Sequence, residues 1–182
     1  GEAFEAGNLA RHILDLSHID SNKAEAVARR LRSISPTVHV LPIGEALAMT
    51  HADVLSQCDV VIDCTGEDDV VALLSRIQLP SPRWFVSASV DYGAERTFVY
   101  IERGVALSHE IMQTKLTPHI GAKRFGGDIV EGTGCWRPTF PGSLAAIWIA
   151  ASSSLHALEH AMAQQDRWPS LHVYSNTPQW QA

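Results

Sequence analysis

The run Asp59-Val60-Val61-Ile62-Asp63 constrains the fold of this chain more than any other stretch. Three consecutive β-branched residues show no polar alternation, so the strand they form is expected to be covered on both faces, as in a parallel sheet flanked by helices. Its neighbours fit that setting. The spacing predicts a helix over Ser21–Ile34, capped by Asp20 or Ser21, with Ala24, Val27, Ala28, Leu31 and Ile34 on one face and Arg29, Arg30 and Arg32 on the other. Ser35-Pro36 ends it, because the residue before proline is pushed out of the α region. Thr37–Leu41 reads as a strand, Ala46–Ser56 as a helix, and Glu67–Ile77 as a helix with Val70, Val71, Leu74 and Ile77 inward. Pro80-Ser81-Pro82 breaks that helix before a strand over Trp84–Val90. Asp91-Tyr92-Gly93 then turns the chain into a returning antiparallel strand, Arg96–Ile101. Leu107–Leu116 reads as helical, and Thr117–Pro141, dense in glycine and proline, as a long functional loop. Gly142–Gln165 is a long helix whose first half is apolar almost all round, which predicts deep burial, and Ser170–Tyr174 is a last strand. Strands alternating with helices make the expected fold α/β, a mostly parallel sheet with helices on both faces and an antiparallel extension.

Composition narrows the function classes. With 182 residues, 46% apolar and 19% charged, the chain resembles an ordinary globular domain and not a disordered or fibrous segment. Fourteen Lys and Arg against 20 Asp and Glu give a net charge of −6, and no basic block marks a phosphate-backbone footprint, so nucleic acid is not expected as a partner. The longest apolar helical stretch, Leu144–Ala151, falls far short of a membrane span, and no signal peptide is apparent. Three cysteines, Cys58, Cys64 and Cys135, with no C-x-x-C pair argue against a disulfide framework and a cysteine-built zinc site, and point to the cytoplasm. The nine histidines are scattered; His156 and His160 alone share helical i, i+4 spacing, without an H-E-x-x-H pattern.

The candidate chemistry lies near the start. Residues 2–12 bring together an acid, an amide, a guanidinium and an imidazole, and Lys23 follows at a helix start, where cationic side chains and helix N–H groups favour anions. Asn8-Leu9-x-Arg11-His12, Asn22-Lys23-Ala24, Ser35-Pro36 and Asp59–Thr65 (D-V-V-I-D-C-T) occur in an order that resembles the ThiF/MoeB-like branch of the ubiquitin-activating enzyme superfamily. Leu155–Met162 is similar to that family's closing helix. The resemblance implies a Rossmann-like adenylation domain spanning residues 1–182. The expected glycine-rich βα unit would lie upstream of Gly1, since Gly132-Thr133-Gly134 follows no strand. A single domain lacking that N-terminal part, inactive in isolation, is the expectation.

By the same resemblance, the function is ATP- and Mg²⁺-dependent activation of the C-terminus of a ubiquitin-like or sulfur-carrier protein, by a homodimer. Arg11 and Lys23 would contact the ATP phosphates, Asn8 would orient them, Glu2 would serve the nucleotide, and Asp63 would join them from the crossover loop. Cations around the phosphates suit this chemistry, because in-line attack of a carboxylate on the α-phosphorus is catalysed mainly by charge neutralisation and positioning. Three departures from the family pattern stand out. His12 replaces a glutamine, and the paired C-x-x-C motif is absent, so no structural zinc is expected. Gly66 stands where the family places the aspartate that serves Mg²⁺; Asp63, Glu67 or Asp68 are the alternative oxygen donors, and the metal site stays open.

Cys135 precedes the long helix, where the resembling enzymes carry a cysteine able to take the acyl group; Arg137, Lys123 and Arg124 would help its thiolate. The alternative is a small buried cysteine packed by Trp136 and Phe140. Cys58 and Cys64, in or beside the Asp59–Asp63 strand, are expected to be packing residues. Two other readings of the chain remain: a catalytically weak ThiF-like scaffold or nucleotide-binding module, suggested by Gly66, and a nicotinamide-dependent oxidoreductase with Glu2 on a ribose.

Overall fold

The computed structural model describes residues 3–6, 12–91, 94–120, 144–164 and 168–176, which fall into two compact units divided after Leu47. In the first, helix α1 (Lys23–Ile34) packs through Ala26 and Val27 onto Phe4 and Leu14, and Ile19 completes the cluster. Phe4 is tied to the turn before the helix: its N–H donates to Ser21 O, and its carbonyl accepts from Asp20 N, both at 2.9 Å. That turn needs Asp20 in the left-handed region, at φ 65°, so neither Asp20 nor Ser21 caps the helix. Asn22 does so instead. The buried stripe is also shifted from the predicted one: Ala26 and Ala28 are inside, whereas Leu31 and Ile34 are exposed. The helix ends at Ile34 with Ser35 extended, as Ser35-Pro36 requires. Thr37–Leu41 forms no strand. It has no ladder partner among the described residues, and Val38 and Leu41 are exposed.

The second unit is built on a four-stranded sheet in the order β1 (Val60–Asp63), β2 (Arg83–Val90), β3 (Arg96–Gly104), β4 (Ser170–Ser175). β1 and β2 are parallel, joined through helix α3 (Asp68–Arg76); β2–β3 and β3–β4 are antiparallel. The fold is α/β, with a mixed sheet. The stretch predicted as the helix Ala46–Ser56 is a 3₁₀ turn, Met49–His51, followed by a short helix α2 (Ala52–Ser56). Helix α5 (Leu144–Ala163) lies on one sheet face, where Ala157 and Ala161 meet Val86, Val99 and Ile101. Alanines at that contact let the helix approach the sheet closely. Alternation sends Phe85, Ser87, Tyr100 and Glu102 to the opposite face. Glu102 accepts there from Tyr100 Oη at 2.9 Å and from the backbone N–H of Ser108, the residue that opens helix α4 (His109–Leu116). Burial and the neighbouring Glu102 carboxyl push the Tyr100 phenol far above its ordinary range.

Two burial expectations are overturned. Ile62 is half-exposed, so β1 is not covered on both faces among the described residues. The first half of α5 is not deeply buried: Leu144, Trp148 and Ile149 are exposed, and its buried residues are the small Ala150, Ala157 and Ala161. An apolar sequence marks what a helix can bury, while the contact itself was made by its alanine face. No described helix is long and apolar enough to cross a membrane.

Candidate functional site

Of the residues singled out from sequence, Glu2, Asn8, Arg11 and Cys135 lie outside the described residues, while Lys23 and Asp63 lie within them, in different units.

Lys23 is the first residue of α1 and is partly buried. The residue before it sets the local chemistry. Asn22 Oδ1 accepts from Ala24 N at 3.0 Å and Glu25 N at 3.3 Å, and its Nδ2 donates to Gly44 O at 3.0 Å. Two first-turn amides that the sequence reading offered to an anion are therefore occupied by Asn22. Lys23 adds a positive charge to this end of the helix. Gly44 is required by the close approach of the cap, since a Cβ there would stand 2.8 Å from Asn22 Nδ2.

His12, the residue in the glutamine position, packs edge-on to Phe4 with ring centroids 5.1 Å apart. Its Nδ1 accepts from Leu14 N at 3.3 Å, which leaves Nε2 to carry the proton of the neutral ring. Burial and, secondarily, the Lys23 charge lower its pKa, so the ring is neutral at pH 7. A neutral imidazole can donate one hydrogen bond beside the ammonium without adding charge repulsion.

Asp63 ends β1 and is buried, and its carboxyl accepts hydrogen bonds from the turn that follows and from β2. Oδ1 accepts from the Thr65 N–H at 3.0 Å and the Thr65 hydroxyl at 2.6 Å, and Oδ2 accepts from the Ser87 hydroxyl at 3.0 Å. Thr65 Oγ1 in turn accepts from Glu67 N at 3.2 Å, at the entry to α3. Gly66, between them, has φ +68° and open space where a Cβ would be. Glu67 and Asp68 are exposed. This crossover turn does not fit a metal ligand set, because Asp63 already meets three donors and Gly66 brings no oxygen from a side chain. Among the described residues no three His, Cys, Asp or Glu side chains converge to hold a metal ion.

Thr65 and Ser87 escaped the sequence reading. The D-x-T spacing at 63–65 was the available signal for the first, since Asp commonly accepts from the backbone two residues on. For Ser87 the signal was a hydroxyl inside the apolar run Trp84–Val90. The cysteine expectation changes too. Cys58 is half-buried and its thiol approaches Val54 O at 3.5 Å, but Cys64 is exposed, because it leaves the strand where the turn begins.

The order of these pieces agrees with comparison to known proteins. The model of the ThiF family matches residues 1–119, and this chain belongs to the ThiF family. It is 27% identical over 161 residues to the ATP-dependent ubiquitin transferase-like protein Cap2 of Enterobacter hormaechei, covering 84% of this chain and 26% of that protein. It is 37% identical over 65 residues to the protein of the same name from Pseudomonas aeruginosa, covering 35% of this chain and 11% of the relative. The chain thus spans about a quarter or less of the length of these relatives.

Proposed function

We propose that this chain is the adenylating part of a cytoplasmic, homodimeric enzyme that uses ATP to activate the C-terminal carboxylate of a ubiquitin-like or sulfur-carrier protein. The observation that carries the reading is Lys23 at the head of α1 beside a neutral His12, inside the segment that matches the ThiF family. The names of the two relatives support both ATP and a ubiquitin-like partner. In this account Arg11 and Lys23 neutralise phosphate charge, Asn8 orients the phosphates, Glu2 serves the nucleotide, and Asp63 belongs to the site through the crossover turn. The carrier's carboxylate oxygen bonds to the α-phosphorus as the bond to the β-phosphate oxygen breaks, and pyrophosphate leaves with its charge met by the two cations. The Cys135 thiolate then attacks the acyl carbon, forming a thioester as AMP departs. Mg²⁺ would enter with the ATP and supply charge neutralisation at the phosphates, and no described residue is assigned to hold it.

A second reading, a nucleotide-binding scaffold with weak catalysis, draws on the crossover turn, where Gly66 offers no carboxylate and Asp63 is already engaged. Carrier-dependent ATP–pyrophosphate exchange by the full natural protein separates the two. Exchange that falls about 100-fold in Arg11→Ala and Lys23→Ala supports the enzyme, the scale of losing one transition-state charge contact. Nucleotide binding without exchange supports the scaffold.

A further inference from the structure

Ligands of open α/β sheets bind beyond the carboxyl ends of parallel strands. β1 and β2 are the parallel pair here, and the segment that leaves the carboxyl end of β1 is the turn 64–67. Its shape is set from below. Asp63 and Ser87 are register partners, and residues paired this way project to the same face of the sheet. Ser87 therefore meets Asp63 Oδ2 from β2, leaving Oδ1 directed at the turn, where it accepts both the amide and the hydroxyl of Thr65. The Thr65 hydroxyl passes the constraint on by accepting from Glu67 N at the start of α3. Gly66 supplies the left-handed step that lets residues 65 and 67 approach, at φ +68°. One buried carboxyl thus ties two strands to a turn and the turn to a helix.

The geometry points to Thr65 and Ser87 as positioning residues for the nucleotide: acting through Asp63, they hold turn 64–67 in the conformation that ATP meets at the carboxyl end of β1. This rests on the adenylating reading above. Asp63 then acts without touching the nucleotide, and its contribution is to remove the cost of ordering the turn on binding. Thr65 is the informative position, because it is exposed, and a change there leaves the sheet core intact.

The test is ATP binding by the full natural protein in the presence of Mg²⁺, measured by titration calorimetry for the wild type and for Thr65→Val and Thr65→Ser. Valine keeps the shape and loses the hydroxyl; serine keeps the hydroxyl. Thr65→Val is expected to bind ATP about tenfold more weakly, the scale of one ordering hydrogen bond, and Thr65→Ser to bind like the wild type. Amide exchange of residues 64–68 in the nucleotide-free protein should quicken in Thr65→Val and not in Thr65→Ser, a readout independent of ATP. Wild-type affinity in Thr65→Val overturns the positioning role alone. A wild-type protein that binds no ATP, with exchange in the turn still responding to the hydroxyl, overturns the adenylating reading and the nucleotide role with it.

Discussion

The Ser87 hydroxyl donates to Asp63 Oδ2 at 3.0 Å across the parallel β1–β2 pair, joining two buried side chains that stand in register. Removing the acceptor leaves the Ser87 hydroxyl without it and strips Thr65 of its acceptor. Asp63→Ala is expected to destabilise the protein by about 3 kcal/mol, the scale of leaving buried donors unsatisfied. Asp63→Asn keeps an oxygen for Thr65, and the Ser87 hydroxyl can rotate to accept from the new amide, so its cost should be less than half as large. Urea unfolding midpoints of the two variants measure the difference; equal midpoints would show that the network does not bear on stability.

Much of the architecture was legible because it follows local rules. The Val60–Ile62 run, the breaks at Pro36 and Pro80–Pro82, and the alternation of strands and helices placed β1, β2, β3, α1, α3, α4, α5 and β4 within a few residues. Three features were not legible. The cap of α1 lies at Asn22 because Phe4, eighteen residues away, holds Asp20 in a left-handed turn. Thr37–Leu41 has strand-forming residues but no ladder partner among the described residues. The side of α5 that packs was decided by Ala157 and Ala161 meeting Val99 and Ile101, which no hydrophobicity pattern distinguishes. For the site, the sequence supplied residue types such as Lys23 and Asp63, while what each one touches depended on the fold.

The Asn22 cap gives a second prediction. Asn22→Ala should cost about 1 kcal/mol, the usual loss for an N-cap. Gly44→Ala should cost a similar amount, because its Cβ would meet Asn22 Nδ2 at 2.8 Å and displace the cap. The double variant should then lose clearly less than the sum, since both changes act on one side chain. Strict additivity in a thermal or urea double-mutant cycle would contradict the coupling.

Two histidines set a pH dependence. Burial, with the nearby Lys23, lowers the pKa of His12, and burial, with nearby His160, lowers that of His172. Each folded unit therefore binds fewer protons than its unfolded chain between the lowered value and the ordinary value of 6.5. Stability rises with pH through that window, so acidification below about pH 6.5 weakens the fold. Melting temperatures should fall from pH 7.5 to pH 5.5, and His12→Gln should flatten that fall. A slope unchanged by this substitution would show that His12 is not responsible.

Thiol accessibility orders the two described cysteines. Cys64 is exposed and Cys58 is half-buried, so Cys64 should alkylate first in the native protein. A time course with iodoacetamide, followed by peptide mass spectrometry, reads this directly. Faster modification of Cys58 would contradict the placement of the crossover turn.

Adenylyl transfer to a carrier's C-terminus is the activity we propose for this chain. The most direct measurement is the mass of the carrier protein after incubation with ATP, Mg²⁺ and the full natural protein in its Cys135→Ala form, which stops the reaction before thioester formation. The expected result is a carrier bearing one adenylyl group, lost on treatment with hydroxylamine and absent when Lys23→Ala is added to the same background. A carrier of unchanged mass, mixed with a protein that demonstrably binds ATP, would contradict it.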